Sequence, residues 1–345
     1  MITHAPESKP RAQVTLPASW YVEPSHWPIE RQSIFADNWQ FFGHDSEIPQ
    51  PRAWRADILS GFPVVVVRSD DGQLKAFHNV CRHRAGPLVR ETSGVCDGHL
   101  TCAYHGWKYT LDGRLRAARD FGVASDFDPR DYGLFPLKLS VWRGLIFIGI
   151  GANLPDLQDL MNPLDQRLGD SDWTKLKVGL RRQHTLQCNW KTYVENYLEG
   201  YHVPAMHPSL DAEIVADQYK VTVEGRVALH DVPARSQEAV YDGLWAWVWP
   251  NIGVNVYNRG LMIERMSPIQ HTTTQLDYLY LMPDGEPVPE ATLIMSDQVT
   301  AEDLWITERV QENLNAGVYQ TGRLSPKHEE AVFAFQQWVR EKREK

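Results

Sequence analysis

The chain has 345 residues, of which 43% are hydrophobic and 23% are charged, as in ordinary soluble globular proteins. That length accommodates two domains of about 100–200 residues each. The 35 basic and 44 acidic side chains give a net charge of −9, which argues against nucleic acid or an anionic membrane as the main partner. No run approaches the roughly 20 apolar residues of a membrane span, and residues 1–14 lack the apolar segment of a secretory signal. We therefore expect a cytoplasmic protein.

The first half of the chain has the pattern of short strands separated by turns. Residues 1–37 form a polar, proline-rich N-terminal extension in which Trp20, Tyr21 and Trp27 are the expected anchors. Residues 38–150 are predicted to form a small antiparallel all-β domain. Its expected elements are strands at residues 62–68 and 74–80 and a hairpin at residues 137–150.

Two short motifs within this region each pair a cysteine with a histidine. Cys81 and His83 form the first pair, and Cys102 and His105 form the second. A Rieske [2Fe–2S] cluster needs this ligand set, because two cysteines bind one iron and two histidines bind the other. A zinc site also takes two sulfurs and two nitrogens, but its usual spacing is a Cys-Cys pair followed by a His-His pair. The mixed pairs favour a Rieske cluster, with zinc as the alternative.

The periodicity changes after a linker predicted near residues 151–171. The expected elements are a helix at residues 188–201, strands at 220–223, 244–249, 253–257, 261–266 and 275–281, and helices at 301–315 and 327–343. Residues 151–345 therefore form the predicted second domain, an antiparallel sheet with covering helices. The fold class of the whole chain is α+β.

A second group of metal-ligating residue types lies in this half. His202 and His207 are five residues apart, and two prolines interrupt helical geometry around them so that both imidazoles can converge. Two histidines and one carboxylate form the facial triad of non-haem Fe(II) oxygenases. A pair of surface histidines at a helix end is the alternative. The residues themselves leave the carboxylate open, and Asp303 also fits a helix capping box. The four acidic candidates are Asp297, Glu302, Asp303 and Glu308.

Together these motifs resemble the oxygenase α-subunit of the Rieske non-haem iron oxygenases, the ring-hydroxylating dioxygenase family. The similarity extends over residues 38–340 and includes both cysteine–histidine pairs, an Asn-Trp-Lys tripeptide and the Glu-Asn…Tyr-His-x4-His segment, in that order. It implies that His202, His207 and Asp303 hold a mononuclear Fe2+ and that Asn196 lies near this iron. It also implies O2 as the co-substrate.

Glu199 stands three residues before His202, where many members of the family have an aspartate. In having a glutamate at this position, the chain resembles the branch of the family that acts on quaternary ammonium compounds such as carnitine and glycine betaine. One helical turn of separation lets the carboxylate hydrogen-bond His202. The resemblance further implies a homotrimer in which Glu199 also reaches His105 of the partner subunit and connects the two metal centres.

Three tryptophans alternate along one predicted strand. Trp245, Trp247 and Trp249 face one way, and Tyr257 lies on the next strand. Because aromatic faces bind trimethylammonium groups through cation–π attraction, Trp247, Trp249 and Tyr257 are the candidate substrate pocket. Packing between the helices and the sheet is the alternative role of these tryptophans.

The chain contains neither a Gly-x-Gly-x-x-Gly fingerprint nor a four-cysteine ferredoxin motif, and Cys96 and Cys188 fit no motif. Electrons are therefore expected from a separate flavin and iron–sulfur reductase, with or without a ferredoxin, and NAD(P)H would act only through it. The favoured reaction is monooxygenation of a quaternary ammonium or betaine-like compound by N-methyl hydroxylation and demethylation. The alternatives are hydroxylation or cis-dihydroxylation of an aromatic compound and, in a different class, a Rieske electron carrier.

Overall fold

The computed structural model describes residues 12–343. The predicted N-terminal extension, which is described from residue 12 onward, packs against the C-terminal half of the chain. Tyr21 is buried there, and Trp20 and Trp27 lie partly buried against the same apolar cluster, as predicted for anchors. The elements of this segment are β1 (Gln13–Val14), α1 (Ser19–Val22), α2 (His26–Glu30) and a π-helical turn at Arg31–Ala36.

Ten strands lie between residues 38 and 150. They are β2 (Trp39–His44), β3 (Ala53–Leu59), β4 (Phe62–Arg68), β5 (Leu74–His78), β6 (Ser93–Val95), β7 (Leu100–Thr101), β8 (Lys108–Tyr109), β9 (Leu115–Ala117), β10 (Pro136–Trp142) and β11 (Leu145–Gly149). Seven form an antiparallel sheet in the order β2-β11-β10-β5-β4-β3-β6, and β7, β8 and β9 form a small separate sheet. The predicted hairpin turns at Arg143 and Gly144, which both have positive φ.

The second half of the chain is a larger antiparallel sheet with helices. Its elements are α3 (Leu157–Leu168), β12 (Leu176–Leu186), α4 (Trp190–Tyr197), α5 (Val203–Met206), α6 (Pro208–Glu213), β13 (Lys220–Glu224), β14 (Val227–Asp231), β15 (Tyr241–Val248), β16 (Ile252–Tyr257), β17 (Leu261–Gln270), β18 (Thr273–Pro283), α7 (Glu290–Asn315), β19 (Arg323–Leu324) and α8 (Glu330–Arg343). The sheet order is β12-β18-β17-β16-β15-β14-β13, and the short β19 pairs with β1. The predicted α+β class is confirmed.

Two predicted boundaries before the sheet are wrong. The expected linker at residues 151–171 contains α3, because the Asp156 carboxylate accepts from two backbone N–H groups and caps its first turn. The expected helix at residues 188–201 is limited to α4, because Asn189 caps its start and the chain leaves helical geometry after Tyr197. His202 is therefore outside α4, and α5 and α6 follow as short separate helices that each have a proline in the first turn.

The helix expected at residues 301–315 begins instead at Glu290, and this changes the interpretation of Asp303. The buried residues of α7 are almost all polar: Thr292, Ser296, Thr300, Asp303, Thr307, Gln311 and Leu314. Such a face has no apolar period, so hydrophobic patterning fails to detect its first turns. Because Asp303 lies in the interior of α7, the capping-box interpretation is wrong.

Strands β12 and β14 were not predicted. β12 contains arginines, a glutamine and a histidine, and it lies at the edge of the sheet where most of its side chains are only half-buried. Edge strands tolerate such polar residues, so β12 has no strand-like apolar alternation. Within residues 12–343, no helix combines the length and the apolar character needed to cross a membrane.

The two seven-stranded sheets share an apolar cluster that fixes them together. Side chains of β2, β11, α3 and the inner face of the second sheet meet there, while the opposite face of β15 directs Trp245 and Trp247 toward the helices. A buried ion network joins the same two sheets. Arg265 of β17 binds Asp277 at 2.5 Å and Asp57 of β3 at 3.0 Å, and it donates to the Phe41 carbonyl at 3.0 Å.

Candidate metal centres and substrate pocket

The two cysteine–histidine loops meet beside the small sheet. Cys81 and His83 follow β5, and Cys102 and His105 lie between β7 and β8. Both cysteines are only 2% exposed, whereas both imidazoles are half-buried. His83 Nδ1 lies 3.2 Å from His105 Nδ1. The loops therefore present two sulfurs on the inner side and two nitrogens, directed at one position, on the outer side.

Several contacts hold these ligand atoms. The Cys102 N–H donates to the Trp107 carbonyl at 2.8 Å, and the Tyr109 hydroxyl lies 3.1 Å from Cys81 Sγ. The Trp107 ring stacks on His83 with a centroid distance of 4.8 Å. Cys81 and Cys102 are not disulfide-bonded. Burial, together with the Cys102 thiol, raises the pKa of Cys81, so the thiolate there needs a positive partner. The donor set fits a [2Fe–2S] cluster bound through two sulfurs and two nitrogens.

A second group of ligand atoms converges beside α4. His202 precedes α5, His207 links α5 to α6, and Asp303 lies in α7. His202 Nε2 is 3.1 Å from His207 Nε2, and Asp303 Oδ1 is 3.1 Å from His207 Nε2 and 4.0 Å from His202 Nε2. In the part of the chain that the structure describes, this is the one group of three ligand residues whose atoms lie within 4.8 Å of one another. Two imidazoles and one carboxylate fit a facial triad for Fe2+.

The two histidines of this triad each contact a further carboxylate through the other ring nitrogen. Glu199 Oε1 lies 2.7 Å from His202 Nδ1, and Glu302 Oε2 lies 2.6 Å from His207 Nδ1. The carboxylates therefore hold the Nδ1 protons and leave both Nε2 atoms directed at the metal position. Burial by itself lowers the pKa of His207, but the Asp303 and Glu302 carboxylates outweigh this effect and raise the pKa. The contact of Glu199 forms across a turn and not along a helix, because α4 ends at Tyr197.

The structure separates the four acidic candidates for the third ligand. Asp303 alone faces both histidines, and the Asn196 side-chain amide donates to its Oδ1 at 2.7 Å. The other three have different partners: His207 for Glu302, Arg182 for Asp297 and the backbone N–H of Gln187 for Glu308. The position of Asn196 agrees with the expectation that it lies near the iron without being a firm ligand.

A pocket lined by aromatic side chains opens beside the triad. Its aromatic lining residues are Tyr193, Tyr197, Tyr219, Tyr241, Trp245, Tyr257 and Tyr278. The Tyr241 ring lies 5.0 Å from Trp245 and 5.3 Å from Tyr257, and Tyr219 lies 5.9 Å from Trp245. A Cβ at position 200 would come within 1.7 Å of the Tyr219 ring, so Gly200 permits this arrangement. We call Tyr219, Tyr241, Trp245 and Tyr257 the aromatic box.

Only one of the three predicted pocket residues lies in the pocket. Tyr257 lines it, but Trp247 and Trp249 do not. Trp247 is 0% exposed and stacks on Trp338 of α8 with an interplanar angle of 6°, and Trp249 also contacts that ring edge-on. All three tryptophans do face the helical side of the sheet. β15 runs from the triad toward α8. Trp247 and Trp249 therefore pack against α8, and Trp245 is the tryptophan that lines the pocket.

Glu264 is a pocket residue that sequence reasoning missed. It lies on β17, is 3% exposed and lines the pocket, and its Oε1 atom has no hydrogen-bond partner among the described residues. Burial, reinforced by the negative charge of Asp303 and opposed by the Tyr193 and Tyr278 hydroxyls, raises the pKa of Glu264 to about 8. The available signal was an acidic residue in the middle of the apolar run 261–266, where an unpaired charge is costly.

The fold and the two metal centres define the class of this protein as a Rieske-type iron oxygenase. Residues 38–127 match the family model for the Rieske [2Fe-2S] domain. Residues 173–344 match the family model for the ring hydroxylating alpha subunit (catalytic domain). The chain belongs to the Rieske non-haem iron oxygenases, as predicted, and its cofactors are a Rieske cluster and a mononuclear iron. The zinc and electron-carrier alternatives are therefore wrong.

Several relatives resemble this chain along most of its length. Choline monooxygenase, chloroplastic, from Beta vulgaris is 30% identical over 354 residues, which cover 97% of this chain and 78% of the relative. The carnitine monooxygenase oxygenase subunit from Escherichia coli (strain K12) is 28% identical over 328 residues, which cover 91% and 87%. The solved structure of the quaternary ammonium Rieske monooxygenase CntA in complex with L-carnitine has a TM-score of 0.85 at 27% identity, with 97% of both chains covered.

Proposed function

We propose that this chain is the terminal oxygenase component that monooxygenates a small quaternary ammonium compound. The observation that carries this proposal is the aromatic box beside the triad. Aromatic faces hold a trimethylammonium group through cation–π attraction, which is strongest where water is excluded. A cation seated in the box has its methyl groups next to the proposed metal position.

The named relatives support this substrate class. Their names include choline monooxygenase and carnitine monooxygenase, and CntA has been solved with the substrates L-carnitine and γ-butyrobetaine. These compounds share a trimethylammonium group and differ in the rest of the molecule. The shared group is the part that the aromatic box recognises.

We assign the mononuclear iron to His202, His207 and Asp303, and the bound iron supplies the chemistry that activates O2. Asn196 fixes the orientation of the Asp303 carboxylate. The phenols and the indole of the box exclude water and orient the cation, so that one C–H bond faces the metal position. Cys81, His83, Cys102 and His105 hold the cluster that receives electrons one at a time.

The proposed reaction replaces a C–H bond of the substrate with a C–OH bond. One atom of O2 enters the product, and the other leaves as water after the addition of two electrons and two protons. A hydroxymethyl group on a quaternary nitrogen then collapses to formaldehyde, a tertiary amine and a proton, as the C–N bond breaks and the hydroxyl hydrogen is released. A separate reductase supplies the electrons in this proposal, because the sequence contains no dinucleotide-binding fingerprint.

We further propose that electrons pass between subunits of a cytoplasmic homotrimer. Inter-subunit electron transfer is described for a solved quaternary ammonium Rieske monooxygenase with a TM-score of 0.88. In this chain Glu199 contacts the His202 ring through Oε1 and accepts from the Tyr201 and His202 backbone N–H groups through Oε2, and its side chain is 12% exposed. His105 of the partner subunit, which is half-buried in its own loop, is the group that Glu199 would meet. Light scattering checks the trimer, and a monomer would contradict it.

The alternative substrate is a neutral aromatic compound, undergoing hydroxylation or cis-dihydroxylation, because the rings that line the pocket also stack on aromatic ligands. A single-turnover experiment separates the two functions without the native reductase. The enzyme is reduced chemically under argon, mixed with 18O2 and a candidate substrate, and analysed by mass spectrometry. We expect formaldehyde or a singly 18O-labelled product from a quaternary ammonium compound. A doubly labelled diol from an aromatic compound, with no product from any ammonium compound, would reject the proposal.

A further inference from the structure

One carboxylate of the pocket has no role in the proposed metal site. Glu264 lies on β17, whereas the triad lies on and beside the helices, and its Oε1 atom is buried with no direct hydrogen bond to a described residue, although the nearby Tyr193 and Tyr278 hydroxyls lower its pKa. Buried polar atoms are nearly always paired, and an unpaired buried carboxylate is among the most costly. An unpartnered acceptor that lines a ligand pocket points to a ligand group that completes it.

Trp245 carries the complementary feature. Its indole Nε1 is also buried without a partner, and among the residues that line this pocket only Trp245 and Glu264 have such side-chain atoms in the described part of the chain. The pocket therefore presents one unsatisfied donor and one unsatisfied acceptor. A ligand with a quaternary ammonium head and a neutral hydroxyl group matches both, because the head pairs with the carboxylate by charge and the hydroxyl oxygen accepts from the indole.

The charged side chains of the pocket other than the triad histidines are all acidic, and the iron assigned to the triad offsets the charge of Asp303 alone among them. Glu199, Glu264 and Asp303 line it, and no lysine or arginine is found among its lining residues between positions 12 and 343. Arg265 follows Glu264 directly, but alternation along β17 turns it to the other face, where it pairs with Asp57 and Asp277. A ligand carboxylate would therefore meet negative charge and no guanidinium or ammonium partner.

We propose that Glu264 is a specificity-determining residue that selects a small quaternary ammonium alcohol over a betaine. Its carboxylate lies beside the cationic head held in the aromatic box, and Trp245 Nε1 donates to the neutral oxygen of the ligand. This inference rests on the proposed function and narrows it, because choline-like cations fit such a site and zwitterions with a carboxylate do not. Burial of Glu264 supports it, since a positive group is what best stabilises an ionised carboxylate that has lost its water.

A ligand series tests the inference on the unmodified enzyme. Binding to the anaerobic ferrous holoenzyme is measured by calorimetry for choline, L-carnitine, glycine betaine and 3,3-dimethylbutan-1-ol, the neutral carbon isostere of choline. We expect choline to bind at least about tenfold more tightly than each of the other three, because the isostere lacks the cation that pairs with Glu264, and the two zwitterions add a carboxylate that has no cationic side chain to pair with.

A matched pair of variants assigns the effect to one residue. Glu264→Gln keeps the size and removes the charge, and it should weaken choline binding about tenfold or more while changing the isostere less than about threefold. Glu195→Gln makes the same substitution at a glutamate of α4 that binds Tyr21 and Gln336 outside this pocket, and it should leave both ligands unchanged.

The outcomes separate the two levels of the proposal. L-Carnitine binding as tightly as choline, or equal losses for choline and its isostere in Glu264→Gln, would overturn the role of Glu264 and leave the proposed function intact. Failure of every ammonium compound to bind would overturn both. If Glu264→Gln does not fold, the ligand series on the unmodified enzyme still decides.

Discussion

The two metal centres of this chain are built in opposite ways. The cluster ligands lie on two short loops beside a small sheet, and their histidines face outward on half-buried rings. The proposed mononuclear triad is assembled from the residue before α5, the α5–α6 junction and α7 against the larger sheet, and its His207 is 1% exposed. The surroundings differ as well, because rings and backbone carbonyls hold the cluster loops whereas carboxylates hold the triad.

This difference follows from what each centre exchanges. A centre that receives electrons from another protein needs only to be near the surface, and its potential depends on the charge of its ligands. A centre that oxidises a C–H bond needs a pocket that excludes water and keeps the ligand geometry fixed. The predictions below alter one centre while leaving the other in place.

Removing the carboxylate ligand should have the largest effect. Asp303→Ala should lose the mononuclear iron and all product formation, because two imidazoles alone leave the facial triad incomplete. The Rieske absorption and electron paramagnetic resonance signals should persist, since the proposed cluster ligands lie on other elements, after β5 and between β7 and β8. The measured iron content should fall from three to two atoms per chain.

Two matched acidic residues control this experiment. Asp297→Ala and Glu308→Ala alter carboxylates on the same helix that bind Arg182 and the Gln187 backbone instead of the triad. Both variants should keep three irons per chain. Loss of iron from either variant, or its retention in Asp303→Ala, would contradict the assignment of Asp303.

Changing the charge of the cluster ligands should alter the cluster and leave the mononuclear site intact. His83→Cys or His105→Cys should keep an iron–sulfur cluster but lower its midpoint potential toward the roughly −400 mV of all-cysteine ferredoxins, because a thiolate adds negative charge. Turnover with the native reductase should stop, while calorimetry should show unchanged substrate binding. A midpoint potential equal to that of the unmodified protein would contradict the ligand assignment.

The link between the centres should respond to Glu199 more than to Glu302. Both carboxylates bind a triad histidine at similar distances, 2.7 and 2.6 Å. Glu199→Gln should retain all three irons but slow cluster oxidation after O2 addition by about 10–100-fold or more, because the charged bridge to the partner subunit is lost. Stopped-flow absorbance measures this rate, and Glu302→Gln is the control. Equal rates in the two variants would reject the bridge.

The two centres also differ in how far the sequence predicts them. The cluster ligands can be predicted from the sequence because each loop contains one cysteine and one histidine at short spacing. Asp303 was chosen only through the family resemblance, because the buried face of α7 is polar and gives no apolar period. Trp247 and Trp245 share one strand face, so spacing cannot tell which of them reaches the pocket. That depends on which end of β15 lies near the triad, which is a property of the assembled sheet.

Trp245 and Trp247 provide a direct comparison of pocket and core. Trp245→Leu should weaken binding of a quaternary ammonium ligand by about 0.5–2 kcal/mol more than that of its neutral isostere. Trp247→Leu should lower the free energy of unfolding by about 2–4 kcal/mol through lost packing against Trp338 and Phe335, with little change in binding. Calorimetry and denaturant unfolding measure the two effects, and the same pattern in both variants would contradict the placement of the pocket.

The smallest expected effect on activity concerns another face of α4, which also supplies Asn196 to the triad. Burial raises the pKa of Glu195 from 4.5 to about 7, although the Tyr21 hydroxyl and the Gln336 amide donate to its carboxylate. The folded state therefore binds a proton that the unfolded state has released between these two pH values, so this contribution to stability is present below pH 4.5 and is lost as the pH rises toward 7.

Glu195→Gln keeps an acceptor for both donors and removes this loss. Since each unit of pKa shift corresponds to about 1.4 kcal/mol, the stability of the variant relative to the unmodified protein should rise by roughly 2–3 kcal/mol between pH 5 and pH 8. Denaturant unfolding at the two pH values measures the difference, and a stability gain that does not change with pH would show that Glu195 is already ionised without cost in the folded protein.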